Sequence, residues 1–349
     1  MHETELALLE DMLRIYSPSR EEMGLSTFLV ERMASLGFEA YSDPVHNAVG
    51  VMGSGSRTIF LLGHIDTVPG NIPVQRKGSK LYGRGAVDAK GPMACFISAA
   101  HRLKGEVAAL NKRIVVLGAV EEEAASSRGA RQLAKDFAPP HFCIIGEPSR
   151  WNAITLGYKG RLLVKYQHQV PLKHSAARGK LVCEQAVDFW NEIKAWCKHY
   201  NRGKSAFESI DPSIRSFHSE DDGFQEAANL GLGFRLPLRF PVDRFKTFLQ
   251  EAAGGGRCHF YGEEQAVRSD KANGLVKTFL HSIRACQGTP KFKVKSGTSD
   301  MNVVAPVWNC PIVAYGPGDS ALDHTPEEHI EIEEYGRAID VLESVLRDI

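Results

Sequence analysis

The sequence carries no net charge and has no long hydrophobic run, and both absences narrow the possible functions. Lysine plus arginine and aspartate plus glutamate each number 42 among 349 residues, which predicts no surface for nucleic acid or an anionic membrane. No stretch approaches the roughly 18 apolar residues that span a bilayer. The N-terminal segment 1–17 is amphipathic and acidic, unlike a signal peptide. We therefore expect a cytoplasmic protein without nucleic-acid or membrane partners.

Cysteine pairs with the spacing of a metal site are also absent. The seven cysteines are dispersed and none forms a Cys-x-x-Cys pair, so we expect reduced thiols that bind no metal. The phosphate-binding pattern Gly-x-x-x-x-Gly-Lys-Ser/Thr and the Gly-x-Ser-x-Gly turn of serine hydrolases do not occur either. Nucleotide binding and serine-nucleophile chemistry are therefore poor interpretations.

The first half of the chain alternates short apolar strands with helical patterns. Buried strands are predicted at 58–62, 114–117 and 142–145. Helical periodicity separates them, at 92–103 and 128–137. This alternation predicts an α/β fold with a mostly parallel sheet that helices cover on both faces.

The pattern changes near residue 160 and returns after residue 270. Between these points the order β-α-β-β-α-β predicts a ferredoxin-like α+β module. We therefore predict a catalytic domain in two parts, 1–157 and 269–349. An inserted lid domain at 158–268 interrupts it.

Histidines and carboxylates follow the predicted strands of the first domain and a later glycine-rich loop: His64, Asp66, Asp88, Glu121, Glu122, Glu123, Glu147 and His324. Because the carboxyl ends of parallel strands meet at one edge of a sheet, these side chains should gather in a crevice. Imidazole and carboxylate ligands suit zinc, cobalt or manganese.

Each motif also has a plain structural interpretation when it is taken alone. His64 and Asp66 fit a capped strand end, Asp88 fits a helix N-cap, and the run 121–123 fits a solvated acidic turn. Their occurrence together favours a metal site, in which one glutamate of the run is a ligand and a neighbour is the general base.

Taken together, the five motifs resemble the co-catalytic zinc amidohydrolases, which include aminoacylases, acetylornithine deacetylase, succinyl-diaminopimelate desuccinylase and glutamate carboxypeptidases. The resemblance implies two divalent metal ions, with Zn²⁺ favoured over Co²⁺ or Mn²⁺. It implies that His64 and Glu147 hold one metal and that Asp88 bridges both. Glu123 and His324 would hold the other metal.

The resemblance also implies roles for the remaining members of these motifs. Asp66 would orient His64. The family pattern is Asp-Glu-Glu followed by a small pair, and alignment on Gly129-Ala130 makes Glu122 the general base and Glu123 the ligand. Glutamate in place of aspartate at 121 leaves a register one residue earlier open.

Two further motifs and one loop of the predicted lid and its surroundings resemble the family. His174, in Pro-Leu-Lys-His-Ser, would stabilise the oxyanion in the site of the partner subunit of a homodimer formed through the lid. Arg235 would bind a substrate carboxylate, and Ser296, Gly297 and Thr298 would line the substrate pocket. An exposed histidine, a surface ion pair and a plain turn are the alternatives.

The strings Gly-His-Ile-Asp-Thr-Val-Pro-Gly and Gly-Arg-Gly-Ala-Val-Asp-Ala-Lys-Gly-Pro look most like the deacylases of lysine biosynthesis through α-aminoadipate. That resemblance implies release of lysine, or of ornithine in arginine biosynthesis, from the terminal glutamate of a small acidic amino-group carrier protein. A basic rim for this carrier, or a solvated strand face, would be formed by Lys159, Arg161, Lys165, Lys173 and Arg178.

Three other functions stay open. A deacylase of free N-acyl amino acids, such as acetylornithine deacetylase, and a dipeptidase share all of this chemistry. A catalytically silent metal-binding scaffold is the third, and the intact Glu122 argues against it because a silent protein is free to lose its base.

Overall fold

The computed structural model of the chain describes residues 3–174 and 178–349. These residues form two compact units. The first contains the chain up to Gly157 together with 268–294 and 299–349. The second contains 158–267 and 295–298, so it includes a short later segment that a continuous insertion at 158–268 leaves out.

Helices and strands alternate along most of the described chain. The helices are α1 (Glu3–Arg14), α2 (Met23–Leu36), α3 (Lys90–Arg102), α4 (Arg128–Asp136), α5 (Val182–Tyr200), α6 (Val242–Ala252), α7 (Gly274–Ala285), α8 (Asp300–Trp308) and α9 (Ile332–Asp348). The strands are β1 (Glu39–Ser42), β2 (Ala48–Met52), β3 (Arg57–His64), β4 (Gln75–Lys77), β5 (Lys80–Tyr82), β6 (Lys112–Ala119), β7 (Phe142–Gly146), β8 (Ala153–Tyr158), β9 (Gly160–Pro171), β10 (Asp211–Asp221), β11 (Gln225–Leu236), β12 (Arg257–Glu264), β13 (Val267–Arg268), β14 (Lys291–Lys295), β15 (Ile312–Tyr315) and β16 (His329–Glu331). None of the described helices is long and apolar enough to cross a membrane.

The main sheet of the first unit is parallel at its centre. Its strand order is β1-β2-β6-β3-β7-β15-β8, and the neighbours β6, β3, β7 and β15 all run parallel. The outer strands β1, β2 and β8 pair antiparallel. The predicted α/β fold with a mostly parallel central sheet is therefore confirmed, while the antiparallel edges are additions that the strand–helix alternation did not predict.

Helices cover both faces of this sheet. The residues of β3 that point to one face and those that point to the other are both apolar. Ile59 and Leu61 belong to the large core that α1, α3 and α9 build. Phe60, on the opposite face, has edge contacts with the rings of Phe137 and Trp308, at 5.5 and 5.1 Å between centroids. A strand buried on both faces has a continuous apolar sequence, as 59–62 does.

The second unit is a four-stranded antiparallel sheet with α5 and α6 packed on one face. Its strand order is β10-β11-β9-β12. Along β9 the side chains of Val164 and Tyr166 are buried in the helix-covered core, and Lys165 and Gln167 are exposed on the other face. This alternation is that of a sheet with one solvated face. The chain order and the strand order together are those of a ferredoxin-like module.

A small sheet, β16-β5-β4, determines how two loops of the first unit meet. β16 pairs antiparallel with β5, with His329 opposite Tyr82 and Ile330 opposite Leu81. The chain that follows His324 therefore lies against the chain that precedes Asp88.

Candidate metal centre

Three neighbouring parallel strands of the first unit end side by side at the candidate centre. His64 is the last residue of β3 and lies opposite Ala119, the last residue of β6. Gly63 lies opposite Gly146, the last residue of β7. The acidic residues that directly follow β6 and β7 therefore begin at the same edge of the sheet as His64.

His64 is buried and is held through both ring nitrogens. Its Nδ1 lies 3.0 Å from the main-chain oxygen of Asp66, and its Nε2 lies 3.1 Å from Oδ1 of Asp88. With Nδ1 donating to the Asp66 oxygen, Nε2 is the nitrogen that can bind a metal, as in metal-ligating histidines. Burial lowers the pKa of His64, but the hydrogen bonds to Asp66 and Asp88 outweigh it and hold the pKa well above its usual range.

Asp66 is fully buried and contacts more than the histidine that it was predicted to orient. Its carboxylate accepts hydrogen bonds from the backbone N–H groups of Glu122 and Glu123, each at 3.0 Å, and from Ser19 Oγ at 2.6 Å. Burial raises the pKa of this carboxyl, and hydrogen bonds from His64, Ser19 and the Glu123 amide lower it below its usual value. The same carboxylate lies 3.4 Å from His64 Nδ1, so Asp66 links His64 to the acidic run.

The acidic run divides between two environments. Glu121 has a left-handed backbone, with φ of 58°, and its carboxylate contacts Ser126 Oγ at 2.6 Å and Arg128 Nε at 2.7 Å. Glu123 instead lies 2.8 Å from His324 Nε2. Burial raises the pKa of Glu122 well above its usual range, because the attraction of His64 does not offset burial and nearby carboxylates that include Glu147.

Asp88 lies between the two histidines. Its Oδ1 faces His64, and its Oδ2 lies 3.1 Å from His324 Nε2. Hydrogen bonds to Asp88 and Glu123 raise the pKa of His324 to about 10. Metal binding requires the neutral ring, so the carboxylates that attract a proton to His324 attract a cation in its place.

Among the described residues, candidate ligand atoms form three groups, and within each group they lie within 4.8 Å of one another. The groups are His64, Asp88 and Glu147; Asp88, Glu123 and His324; and His64, Glu122 and Glu123. The first two share Asp88, so the arrangement offers ligands to two cations at once. Carboxylates whose pKa values are raised by burial and mutual repulsion are stabilised by a divalent cation, so the donor set fits the implied metals.

Four residues that the sequence analysis did not single out support the centre. Ser19 and Glu22 belong to the loop between α1 and α2, and Glu22 Oε1 accepts the N–H of Glu121 at 3.0 Å. Glu328 accepts backbone N–H groups of the Asp88 loop and pairs with Arg84. Arg84 lies inside the glycine-rich motif that contains Asp88, and Glu328 lies four residues after His324, whereas Ser19 and Glu22 are far from the motifs along the chain.

Within the second unit, one predicted substrate residue contacts another. Arg235 Nη1 donates to Thr298 Oγ1 at 3.1 Å. Gly297 is partly buried and Ser296 is exposed in the same segment. His174 is exposed in the loop after β9, and the Ser175 of its motif lies outside the described residues.

The predicted basic rim needs a correction at two positions. The Lys159 side chain is 1% exposed, and its Nζ contacts the Ser209 carbonyl oxygen at 2.7 Å and Asp211 at 2.6 Å. Arg161 is 13% exposed, and its Nε donates to the Gly262 carbonyl oxygen. Both cations are therefore held by contacts inside the second unit. The alternate spacing of these basic residues predicted one strand face, but it did not show that part of this face is covered.

Lys165, Lys173 and Arg178 are exposed. They are the members of the predicted rim that remain available at the surface.

The cysteines lie outside the candidate ligand groups of the described residues. All seven are unpaired, and the metal-ligand groups of the described residues contain none of them. Burial raises the pKa of Cys197 and of Cys258 to about 12, so these thiols are poor metal ligands.

Comparison with known proteins places this geometry in a family. Residues 60–348 match the signature of Peptidase family M20/M25/M40. The chain therefore belongs to Peptidase family M20/M25/M40. It is a hydrolase of the metal-centred type that the clustered histidines and carboxylates indicate.

Two relatives are similar along nearly the whole chain. A LysW-lysine hydrolase of Deinococcus radiodurans is 44% identical over 346 residues, which cover 97% of this chain and 95% of that protein. A putative LysW-lysine/LysW-ornithine hydrolase of Pyrococcus abyssi is 35% identical over 342 residues, covering 98% and 93%. The resemblance that the motifs indicated is confirmed.

A solved structure has the same fold. The M20 family metallo-carboxypeptidase Sso-CP2 of Sulfolobus solfataricus superposes with a TM-score of 0.77 at 20% identity, covering 99% of both chains.

Proposed function

We propose that the protein is a two-metal amide hydrolase that releases lysine, or ornithine, from the terminal glutamate of an amino-group carrier protein. The observation that carries the proposal is the 44% identity, over 97% of the chain, to a relative named as a LysW-lysine hydrolase. The name of the second relative includes both the lysine and the ornithine conjugate of this carrier, so the proposal keeps both amines.

The metal ligands are proposed from the two groups that share Asp88. His64 and Glu147 would hold one ion, Glu123 and His324 the other, and Asp88 would bridge them. Zn²⁺ is the favoured ion because the donors are imidazole nitrogens and carboxylate oxygens. When bound, a pair of divalent cations polarises the scissile carbonyl and lowers the pKa of water towards neutrality.

Glu122 is the proposed general base. Its raised pKa, caused first by burial, suits a carboxylate that takes a proton from water and later returns it to the leaving amine. Asp66 holds the Glu122 backbone, so the carboxylate is delivered from a fixed position. Glu121 is unsuited to the role because Ser126 and Arg128 hold its side chain.

Substrate recognition is proposed for the second unit. Arg235, oriented by Thr298, would bind a carboxylate of the substrate, and Ser296 and Gly297 would line the pocket beside it. His174 would stabilise the oxyanion in the partner subunit's site. The exposed Lys165, Lys173 and Arg178 would contact an acidic carrier.

A homodimer through the second unit and a cytoplasmic location belong to the same proposal. The edge strand β10 is exposed along most of its length and carries Ile214 and Phe217, which are 40% and 45% exposed. Unpaired edges with exposed apolar residues are protected by pairing with another chain. The free thiols fit a reducing compartment.

The test compares metal content and hydrolysis in the wild type, Glu122→Gln and the neighbouring control Glu121→Gln. Substrates are carrier-linked lysine, N-acetyl-lysine and N-acetyl-ornithine. We expect about two metals per chain in all three proteins and a preference for the carrier-linked substrate. We expect kcat to fall about 10²- to 10⁴-fold in Glu122→Gln alone, because a lost general base costs about that factor.

Each other outcome rejects a defined part of the proposal. Loss of metal from Glu122→Gln would mean that Glu122 is a ligand. Loss of activity in Glu121→Gln with metal retained would shift the base by one residue. Rapid hydrolysis of the N-acetyl amino acids with none of the carrier conjugate would keep the amide hydrolase and reject the carrier.

A further inference from the structure

A buried glutamate outside the proposed ligand set holds the loop that carries Asp88. The Glu328 side chain is 1% exposed. Its Oε1 accepts three backbone N–H groups, from Gly85 at 3.1 Å, Val87 at 2.9 Å and Asp88 at 3.1 Å. The carboxylate thus replaces water for three amides of a loop that has no strand or helix to bond them.

The other oxygen of Glu328 connects this loop to the one that carries His324. Oε2 accepts a hydrogen bond from Arg84 Nη1 at 2.8 Å, and the same Nη1 donates to the carbonyl oxygen of Thr325 at 3.2 Å. Arg84 Nε reaches the carbonyl oxygen of Gly70, in the loop after β3. The Arg84–Glu328 pair therefore joins segments from three parts of the sequence.

The small sheet explains why this contact forms. Glu328 directly precedes β16, and β16 pairs with β5, which ends just before the Asp88 loop. The pairing of Ile330 with Leu81 leaves Glu328 beside the backbone of 85–88. A buried ion pair of this kind costs desolvation and stabilises little on balance, so its position at two ligand loops favours a role in geometry.

We propose that Glu328, bonded to Arg84, is a positioning residue for the Asp88 and His324 side of the metal centre. Asp66 contacts one proposed ligand of each ion, since it lies against His64 and holds the backbone of Glu123. The inference rests on the metal ligands proposed above. Residues that orient metal ligands typically change metal affinity by about 10- to 100-fold when they are altered.

The two ion sites should not be affected equally. The group Asp88, Glu123 and His324 has two of its members on loops that Glu328 and Arg84 hold. The group His64, Asp88 and Glu147 has one. Glu328→Gln, which keeps the shape but removes the charge, should therefore weaken the site of Asp88, Glu123 and His324 more than the site that contains His64 and Glu147.

The experiment titrates Zn²⁺ into metal-free wild type, Glu328→Gln, Glu328→Asp and a control, Glu5→Gln. Glu5 is also a buried glutamate paired with an arginine, Arg102, in the first unit. Affinity is read by calorimetry, and thermal unfolding is followed with and without zinc. We expect one of the two zinc affinities to fall about 10- to 100-fold in Glu328→Gln and less in Glu328→Asp, which retains the charge. In Glu5→Gln both zinc affinities should equal those of the wild type, even where its unfolding temperature falls.

The rise in unfolding temperature on adding zinc distinguishes a residue that positions metal ligands from one that only stabilises the fold. A merely structural Glu328 would lower the unfolding temperature equally with and without zinc and leave both affinities unchanged, and that result would overturn the inference. If Glu328→Gln does not fold, unchanged zinc affinities in Glu328→Asp and Arg84→Lys would overturn it equally. A wild type that binds no zinc would instead reject the proposed metal ligands.

Discussion

At the scale of single residues, the centre is organised by buried carboxylates that are not themselves in the ligand groups. Asp66 contacts His64 and holds the adjacent amides of Glu122 and Glu123. Its position two residues after His64 predicted the first contact. The second contact depends on β3 and β6 lying side by side, and short-range sequence spacing carries no information about it.

Asp66→Asn is predicted to weaken both metal binding and catalysis. An amide in place of the carboxylate keeps one acceptor oxygen and presents an N–H₂ group to a backbone donor, so the backbone of Glu122 and Glu123 loses one of its two acceptors. His64 Nδ1 keeps the main-chain oxygen of Asp66 but loses the negative charge 3.4 Å away. We expect metal affinity to fall about 10- to 100-fold and kcat to fall even at saturating zinc. Zinc titration and steady-state kinetics measure the two effects.

The control for this substitution is Asp43→Asn. Asp43 also accepts two backbone N–H groups, from Val45 at 3.0 Å and Asn47 at 2.8 Å, in a turn outside the candidate centre. Its replacement should leave zinc affinity unchanged. Equal zinc affinities for Asp66→Asn and Asp43→Asn would show that Asp66 does not support the ligands.

At the scale of secondary-structure elements, one arginine joins three helices of the first unit. Arg102, at the end of α3, contacts Glu5 of α1 and both Asp340 and Glu343 of α9. Its side chain is 17% exposed and that of Glu5 is 9% exposed. Removal of the cation takes one ion pair from the buried carboxylate of Glu5 and from the more exposed Asp340 and Glu343.

Arg102→Ala is therefore predicted to lower the free energy of unfolding by about 3 kcal/mol or more, as the loss of one partner of a buried ion pair does. Urea unfolding followed by circular dichroism gives the value. Arg14→Ala is the control, because Arg14 is 57% exposed where it pairs with Asp11, and it should cost at most about 1 kcal/mol. Similar losses in the two variants would contradict the view that α1, α3 and α9 are tied through Arg102.

The elements that the sequence predicted are those whose pattern is strong and local. The helices predicted at 92–103 and 128–137 correspond to α3, at Lys90–Arg102, and α4, at Arg128–Asp136. The strands at 57–64 and 112–119 have continuous apolar runs. The short strands β4, β5 and β16 have three residues each, too few for a periodicity, and they form because they pair with each other.

At the scale of the whole molecule, the proposed homodimer makes a prediction about β10. Phe217→Glu should shift the protein from dimer to monomer, because it places a charge on an exposed apolar position of an edge strand. The control is Phe292→Glu, which alters an aromatic residue of similar exposure, 40% against 45%, in the first unit. Sedimentation velocity over a range of concentrations measures the assembly.

Both variants should retain the fold by circular dichroism. A wild type that sediments as a monomer at every concentration would reject the homodimer. A dimer that persists in Phe217→Glu and dissociates in Phe292→Glu would place the interface outside the second unit.

The sequence by itself determined the class of the fold and singled out the candidate residues from which the proposed centre is built. His64, Asp88, Glu147 and His324 were identifiable as candidates because each follows a predicted strand or glycine-rich loop, whereas Glu123 was chosen from the acidic run by the family resemblance. Parallel strands must end at a common edge, and that rule turns positions far apart in the chain into neighbours in space. Local periodicity was sufficient for the strands and helices that carry these residues.

Only the tertiary structure decided which carboxylates support the centre and which cations are available at the surface. Glu328 meets the Asp88 loop through the pairing of β16 with β5, and Ser19 and Glu22 meet the centre through a loop near the N-terminus. Lys159 became an internal ion-pair member rather than a rim residue. Such contacts join residues separated by tens to hundreds of positions, and their energy depends on burial, which a local pattern of charges does not specify.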